Sequence, residues 1–267
     1  MTLMGSTTGR TATAAPETTH AAPRRAGAAT YVSYELLRSF RNRRFFVFSL
    51  VFPLALFLLV AGPNRDQTLQ GIPFPTYYMA GMVAWGTMAA VIAGGARIAA
   101  ERAIGWHRQL RVSPLAVRTY FATKLASGYL VALTSIAVLY LAGAGLGVRL
   151  STVHWLEMTA LTLIGLVPFA VLGILLGHLL TIDSMGPAIG GITSLFALLG
   201  GAWGPTATAG WLFEVVKCLP SYWLVQAAKT GYGGDAWPVQ AWIVLVVWTA
   251  ALLALCLRAY RRDPTRA

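Results

Sequence analysis

Residues 45–62 read FFVFSLVFPLALFLLVAG, a run without one charged side chain. As a helix it would be about 27 Å long, close to the ~30 Å hydrocarbon core of a bilayer. Pro53 inside it is tolerable, because a membrane helix can re-satisfy the backbone groups that a proline frees. Working outward, five further apolar runs follow at about 76–98, 121–147, 155–180, 186–203 and 237–258. The whole chain of 267 residues is 57% hydrophobic and 11% charged, with mean hydropathy +0.63. Ordinary soluble domains carry about 25% charged residues. Such a composition cannot clothe a soluble core, and it excludes a soluble enzyme, a disordered chain and a disulfide scaffold. The expected fold is an all-α polytopic membrane protein with six transmembrane helices.

The net charge is +12. Of 21 Lys and Arg, 17 fall in three places: residues 10–44, residues 97–124 and residues 258–266. The remaining four are Arg65, Arg149, Lys217 and Lys229. The positive-inside rule then puts both termini in the cytoplasm, which needs an even number of spans. The same rule and anionic headgroups account for the basic excess, so membrane lipids are expected partners and nucleic acid is not. Residues 1–30, rich in Thr, Ala and Pro, read as a disordered cytoplasmic tail. Residues 31–44, YVSYELLRSFRNRR, read as an N-terminal amphipathic interfacial helix: Val32, Leu36 and Phe40 form its apolar row, and Arg38, Arg41, Arg43 and Arg44 its basic side. Residues 259–267 form a cytoplasmic C-terminal tail.

The span centres hold no Asp, Glu, Lys, Arg or His. Proton- and sodium-driven transporters usually keep ionisable groups there, so energy is expected to come from outside the membrane. Arg97, Glu157 and His178 sit near span ends and read as interfacial. The chain contains no phosphate-binding loop of the G-x-x-x-x-G-K-[ST] type. No catalytic residues and no metal ligands are expected. The topology places Cys218 and Cys256 on opposite sides of the hydrocarbon core, too far apart to pair. Gly173-x-x-x-Gly177 and Gly186-x-x-x-Gly190 have the small-residue spacing that lets membrane helices approach closely. A tight turn is expected around Asp183, Ser184 and Pro187.

The cytoplasmic stretch 101–115, ERAIGWHRQLRVSPL, carries mixed charge and ends on Pro114, which stops a helix. A short helix of this kind suits docking on a soluble partner. The same arginines also fit a basic loop that only sets topology. The second span begins with Tyr77, Tyr78, Met79, Met82, Trp85 and Met88, adaptable side chains for an irregular apolar ligand and equally ordinary packing.

The run Glu101-x-x-x-Gly105 followed by Leu110-Arg111-Val112-Ser113-Pro114-Leu115 resembles the signature of the ABC-2 family of membrane permeases, nearest to daunorubicin-resistance type drug and antibiotic exporters. The resemblance extends from Tyr31 to the last span, so residues 31–258 would be an ABC-2 type transmembrane domain. It implies a coupling helix at 99–115 that enters the partner ATPase, with Glu101, Gly105, Arg108, Leu110, Arg111, Ser113 and Pro114 as coupling residues. It makes residues 31–44 a connector helix through Glu35, Arg38, Arg41, Arg43 and Arg44. It makes 204–236 an outer re-entrant segment of two short helices between spans five and six, with Pro220, Tyr222 and Trp223 in it. It puts a possible substrate path at Tyr77, Tyr78, Met82, Trp85 and Met88. It implies an ABC ATPase partner holding ATP and Mg, no cofactor on this chain, a second permease copy as homodimer or homologous partner, and an amphipathic small-molecule cargo.

Two other readings stand beside this one. An ABC-2 permease could export a lipid-linked glycan or cell-wall polymer, although the spans are poor in the polar side chains of a wide channel. A membrane-embedded enzyme or scaffold would have to work through Glu157, His178 and Asp183, which form no constellation in sequence.

Overall fold

The computed structural model describes residues 47–69, 71–105, 117–204, 210–232 and 237–262. Helix α1, Phe52–Ala61, is entered through a π-turn, Val47–Val51. Pro53 brings no N–H for the carbonyl of Ser49, and the Ser135 hydroxyl from another helix donates to that carbonyl at 3.5 Å. That is the repair expected of a proline within a membrane helix. Asn64 closes α1 by donating to the Val60 carbonyl at 2.7 Å. A two-stranded antiparallel ribbon follows, β1 (Thr68–Leu69) and β2 (Ile72–Pro73), turning at Gly71 with φ +78°. This short ribbon stands where the sequence suggests only a loop; its four paired residues leave the fold otherwise helical.

Helix α2, Phe74–Ala96, ends at Arg97, and a short α3, Ile98–Ala103, continues it. Next come α4 (Val117–Gly145), α5 (Thr152–Gly165) and α6 (Val167–Leu179). The last two form one apolar rod of 28 residues, broken at Leu166. Pro168 sits in the first turn of α6 and explains the break, since it cannot supply the fourth bond back. Helix α7 is Ile182–Gly200, α8 is Trp211–Lys217, α9 is Pro220–Lys229, extended by a 3₁₀ turn Thr230–Tyr232, and α10 is Val239–Arg262.

Five of these helical rods are long and apolar enough to cross a bilayer: Phe74–Ala103, Thr119–Gly145, Thr152–Leu179, Ile182–Gly200 and Val239–Ala259. The apolar stretch Ser49–Ala61 is shorter and begins at the edge of the described residues. The fifth run starts a turn earlier than its sequence suggests. Thr181 and Ser184 form a reciprocal capping box, so Asp183 and Pro187 lie inside α7 instead of in a turn before it.

Helix α2 is the centre of the bundle. Its rod is 89% buried within the chain, against 17% for α7. Helices α1, α4, α6, α7 and α9 all pack on it. Close approach to α6 is set by glycine: a Cβ on Gly173 would stand 2.4 Å from the Ile92 carbonyl oxygen, and one on Gly177 2.9 Å from that of Gly95. The other small-residue pair does nothing comparable in this chain, since Gly186 and Gly190 have nothing within 4 Å. Outward faces of α7 and α10 carry Leu195, Leu198, Val239, Ile243, Val246 and Val247 exposed, a surface that a bilayer accommodates and water does not.

Helix α10 also fixes the depth of the α8–α9 corner. Trp248 Nε1 donates to the Cys218 carbonyl at 2.8 Å. Trp248 lies about 13 Å along α10 from its start at Val239, so the corner reaches well down that helix. The two cysteines are therefore not separated by a whole hydrocarbon core. Cys256 is only about 12 Å beyond Trp248 along α10, and both thiols are free.

Candidate functional site

The end of the bundle that holds α3 is built from charge. Six residues are a marginal helix on their own, and α3 is held by its neighbours instead. Its Ile98 side chain packs with Tyr120 of α4, Ile174 and Leu175 of α6, and Leu252 and Cys256 of α10. On one flank Glu101, 2% exposed, is ion-paired with Lys124 of α4, which is fully buried. The Tyr120 hydroxyl, one turn before Lys124, donates to the other Glu101 oxygen at 2.5 Å. Both carboxylate oxygens thus have a partner, which a buried charge pair requires if desolvation is not to dominate.

On the other flank Arg102 reaches the C-terminal end of α6. Its guanidinium donates to the carbonyls of His178 at 2.5 Å and Gly177 at 3.3 Å. These are carbonyls at the negative end of that helix, where a cation is favoured. His178 turns inward, its Nδ1–H donating to the Ile174 carbonyl at 2.8 Å. At the α2–α3 break Arg97 donates to Ser127 of α4 at 3.0 Å. Arg97 and His178, read in sequence as interfacial, both make tertiary or helix-end contacts here. Helix α3 is thereby clamped between α4 and α6. It runs into Gly105, whose φ of +71° ends the helix and whose N–H bonds the Arg102 carbonyl at 3.1 Å. The sequence names Glu101 and Gly105 but not Tyr120, Lys124, Arg102 or Ser127. Lys124 reads in sequence as one more topology-setting cation. Arg108, Leu110, Arg111, Ser113 and Pro114 lie outside the described residues, as do Glu35, Arg38, Arg41, Arg43 and Arg44.

The aromatic and thioether residues of α2 are packed inside the chain. Tyr77, Tyr78, Met82, Trp85 and Met88 are all buried, and Met79 with them. Trp85 is the one that connects to the outside. Its ring meets Phe52 of α1 at 5.6 Å and Trp203, just after α7, at 5.2 Å, both edge-on. Phe52 and Trp203 are well exposed, and Trp85 Nε1 has no acceptor among the described residues. These three rings, from α1, α2 and the segment just after α7, give an apolar wall whose Trp85 donor has no acceptor among the described residues. Phe52 escapes a sequence reading because it is one phenylalanine among several in an apolar run.

At the opposite end of α2, Pro220 starts α9 and is buried. Trp223 is buried and donates to the Lys217 carbonyl at 2.7 Å, tying α9 back onto α8. Tyr222 sits between Phe213 and Trp223, with ring centroids 6.0 and 5.0 Å away. Among the described residues there is no group of three or more potential metal ligands.

Comparison with known proteins adds two findings. The profile of the family described as ABC-2 family transporter protein matches residues 73–258. The chain is also similar to a Bacillus subtilis (strain 168) protein named "Putative transport permease YvfS", with 26% identity over 206 residues, covering 76% of this chain and 81% of that protein.

Proposed function

The chain belongs to the ABC-2 transporter family, and from that premise we propose that it is the membrane-spanning subunit of an ATP-binding-cassette exporter moving an amphipathic small molecule of the drug or antibiotic type. Membership makes it a multi-pass membrane transport permease that is not by itself a catalytic enzyme. The finer reading goes further. Six spans cross a bacterial cytoplasmic membrane, with both termini inside. Two permeases, identical or homologous, stand over a pair of ATPase subunits that bind ATP and Mg.

One observation carries this reading: α3 is gripped by α4 through Glu101 and by α6 through Arg102, directly before residues 106–116. A push on that segment from a soluble subunit would be delivered to two spans at once through charged contacts. In this scheme Arg108, Leu110, Arg111, Ser113 and Pro114 touch the ATPase, Gly105 gives the turn toward it, and Glu101 transmits from inside. Residues 31–44 serve as the connector helix. The depth of the α8–α9 corner on α10 supports a re-entrant outer segment. The Phe52, Trp85 and Trp203 wall supports an apolar cargo surface on the first, second and fifth spans. Tyr77, Tyr78, Met82 and Met88 back that wall from the core.

Inside-out vesicles containing the chain and its ATPase subunit test the assignment. ATP should drive uptake of a rhodamine-type amphipathic fluorophore, and Trp85→Ala should lower uptake while leaving ATPase binding intact. ATP-dependent movement of a lipid-linked glycan without any fluorophore uptake would overturn the drug reading.

A further inference from the structure

The end of α2 that lies farthest from Glu101 carries a cation with unspent donors. Lys229 closes α9, and its Nζ lies 3.4 Å from the Tyr77 hydroxyl and 4.6 Å from the centroid of the same ring. Two other cations of the connecting segments have carboxylates: Lys217 pairs with Glu214 at 2.8 Å and Arg65 with Asp66 at 3.7 Å. Among the described residues Lys229 has none. Burial pushes its ammonium down to about 8 from the ordinary lysine value, the direction expected of a cation stripped of water without a compensating anion.

The neighbouring hydroxyls are also unspent. An ammonium can only donate, so the Tyr77 oxygen accepts from Lys229 and its own proton remains available. The Tyr232 hydroxyl is buried with no partner among the described residues. Tyr77 stands in the first turn of α2, the helix end whose dipole favours negative charge. The ammonium also lies over the Tyr77 ring, and at least one of its N–H groups has no acceptor among the described residues. A cation, a phenolic donor and a positive helix end therefore meet at Tyr77, and the Tyr232 phenol lies within electrostatic reach of Tyr77.

We propose that Lys229, Tyr77 and Tyr232 form a binding site for a single oxyanion group, a carboxylate or a phosphate, borne by an amphipathic molecule. Charge-assisted bonds to the ammonium hold the oxygen atoms, and the two phenols set the orientation. The site belongs to this chain alone and needs no ATPase, so it stands or falls separately from the exporter reading.

Trace acetylation of lysines in phosphatidylcholine nanodiscs, read by peptide mass spectrometry, tests it. Dodecanoate or dodecyl phosphate should slow labelling of Lys229 about tenfold, the effect of roughly 1.4 kcal/mol of protection, and leave Lys217 unchanged. Dodecanol, with the same tail and no charge, should have no effect. Protection by dodecanoate alone marks a soluble carboxylate as the source; protection by phosphatidylglycerol in the disc marks a lipid headgroup. Both outcomes support the site. Tyr77→Phe and Tyr232→Phe keep the lysine and should each weaken protection several-fold. Equal protection by dodecanol, or full protection in the double phenylalanine variant, would each overturn the proposal.

Discussion

Glu101 and Lys124 sit 23 residues apart and meet as a buried pair. Removing either takes from the other its buried ion-pair partner, while Tyr120 still donates to Glu101; breaking such a buried pair costs about 3–5 kcal/mol. Lys124→Met should therefore lower the thermal midpoint of the purified chain sharply, and Glu101→Gln in the same chain should recover most of it. Two independent losses that simply add would refute the pairing. Nothing local in the sequence announces this contact. Periodicity reports which face of a helix is apolar, and it is silent on which cation of one helix faces which carboxylate of another. Gly105 is named in the sequence only through the family resemblance, inside a helix expected to stop at Pro114; its positive φ makes Gly105→Ala cost about 1 kcal/mol through backbone strain alone. The same scale fixes the pH behaviour of Lys229. Its pKa of about 8 means the cation is present below that value and lost above it, so anion protection should hold near pH 7 and fade by pH 9. Tyr77 faces it directly and Tyr232 lies within electrostatic reach of Tyr77; burial pushes the Tyr232 phenol upward, so it stays neutral through that window. Unbound, the folded chain binds fewer protons than the unfolded chain between about 8 and 10.5, and its stability rises with pH across that interval. A protection profile flat from pH 7 to 9 would contradict the assignment.

Two glycine pairs with one sequence spacing have opposite roles among the helices. Gly173 and Gly177 let α6 lie directly on the backbone of α2, whereas Gly186 and Gly190 face open space. Gly173→Leu should push those helices apart and abolish a cooperative melt. Gly190→Leu should leave the melt of the isolated chain unchanged. The spacing alone could not separate them, since both satisfy the same four-residue rule. Apolar run lengths located the five long rods within a few residues because the bilayer fixes them. The ends moved where capping chemistry overrode hydropathy, as Thr181 and Ser184 do for α7. The sequence suggests a helix beginning at Glu101, whereas α3 is Ile98–Ala103 and ends before Gly105; neither its start nor its clamping is legible. Arg102→Ala removes the grip on α6 while keeping α3 on α4. It should leave ATPase capture intact and reduce transport per ATP hydrolysed.

The molecule as a whole is a central helix wrapped by others, with ionic contacts at one end of α2 and a half-buried lysine at the other. Family resemblance in residues 101–115 pointed to the first end, and the match over residues 73–258 places the chain in the ABC-2 family. At the second end the sequence names Tyr77 but not its partner, since Lys229 is one of four stray cations outside the basic clusters. Its significance arises only when α9 folds back onto the start of α2. The central claim is that this chain is driven by a separate ATPase through the segment after α3. Affinity capture of the tagged chain in mild detergent, with quantitative mass spectrometry of what accompanies it, tests that claim most directly. The wild-type chain should bring down a P-loop ATPase in near-stoichiometric amount, and Arg111→Glu should reduce capture about tenfold with the thermal melt unchanged, a loss of roughly 1.4 kcal/mol. A wild-type chain that purifies without an ATPase even after crosslinking through position 111, or equal capture by the two forms, would contradict it.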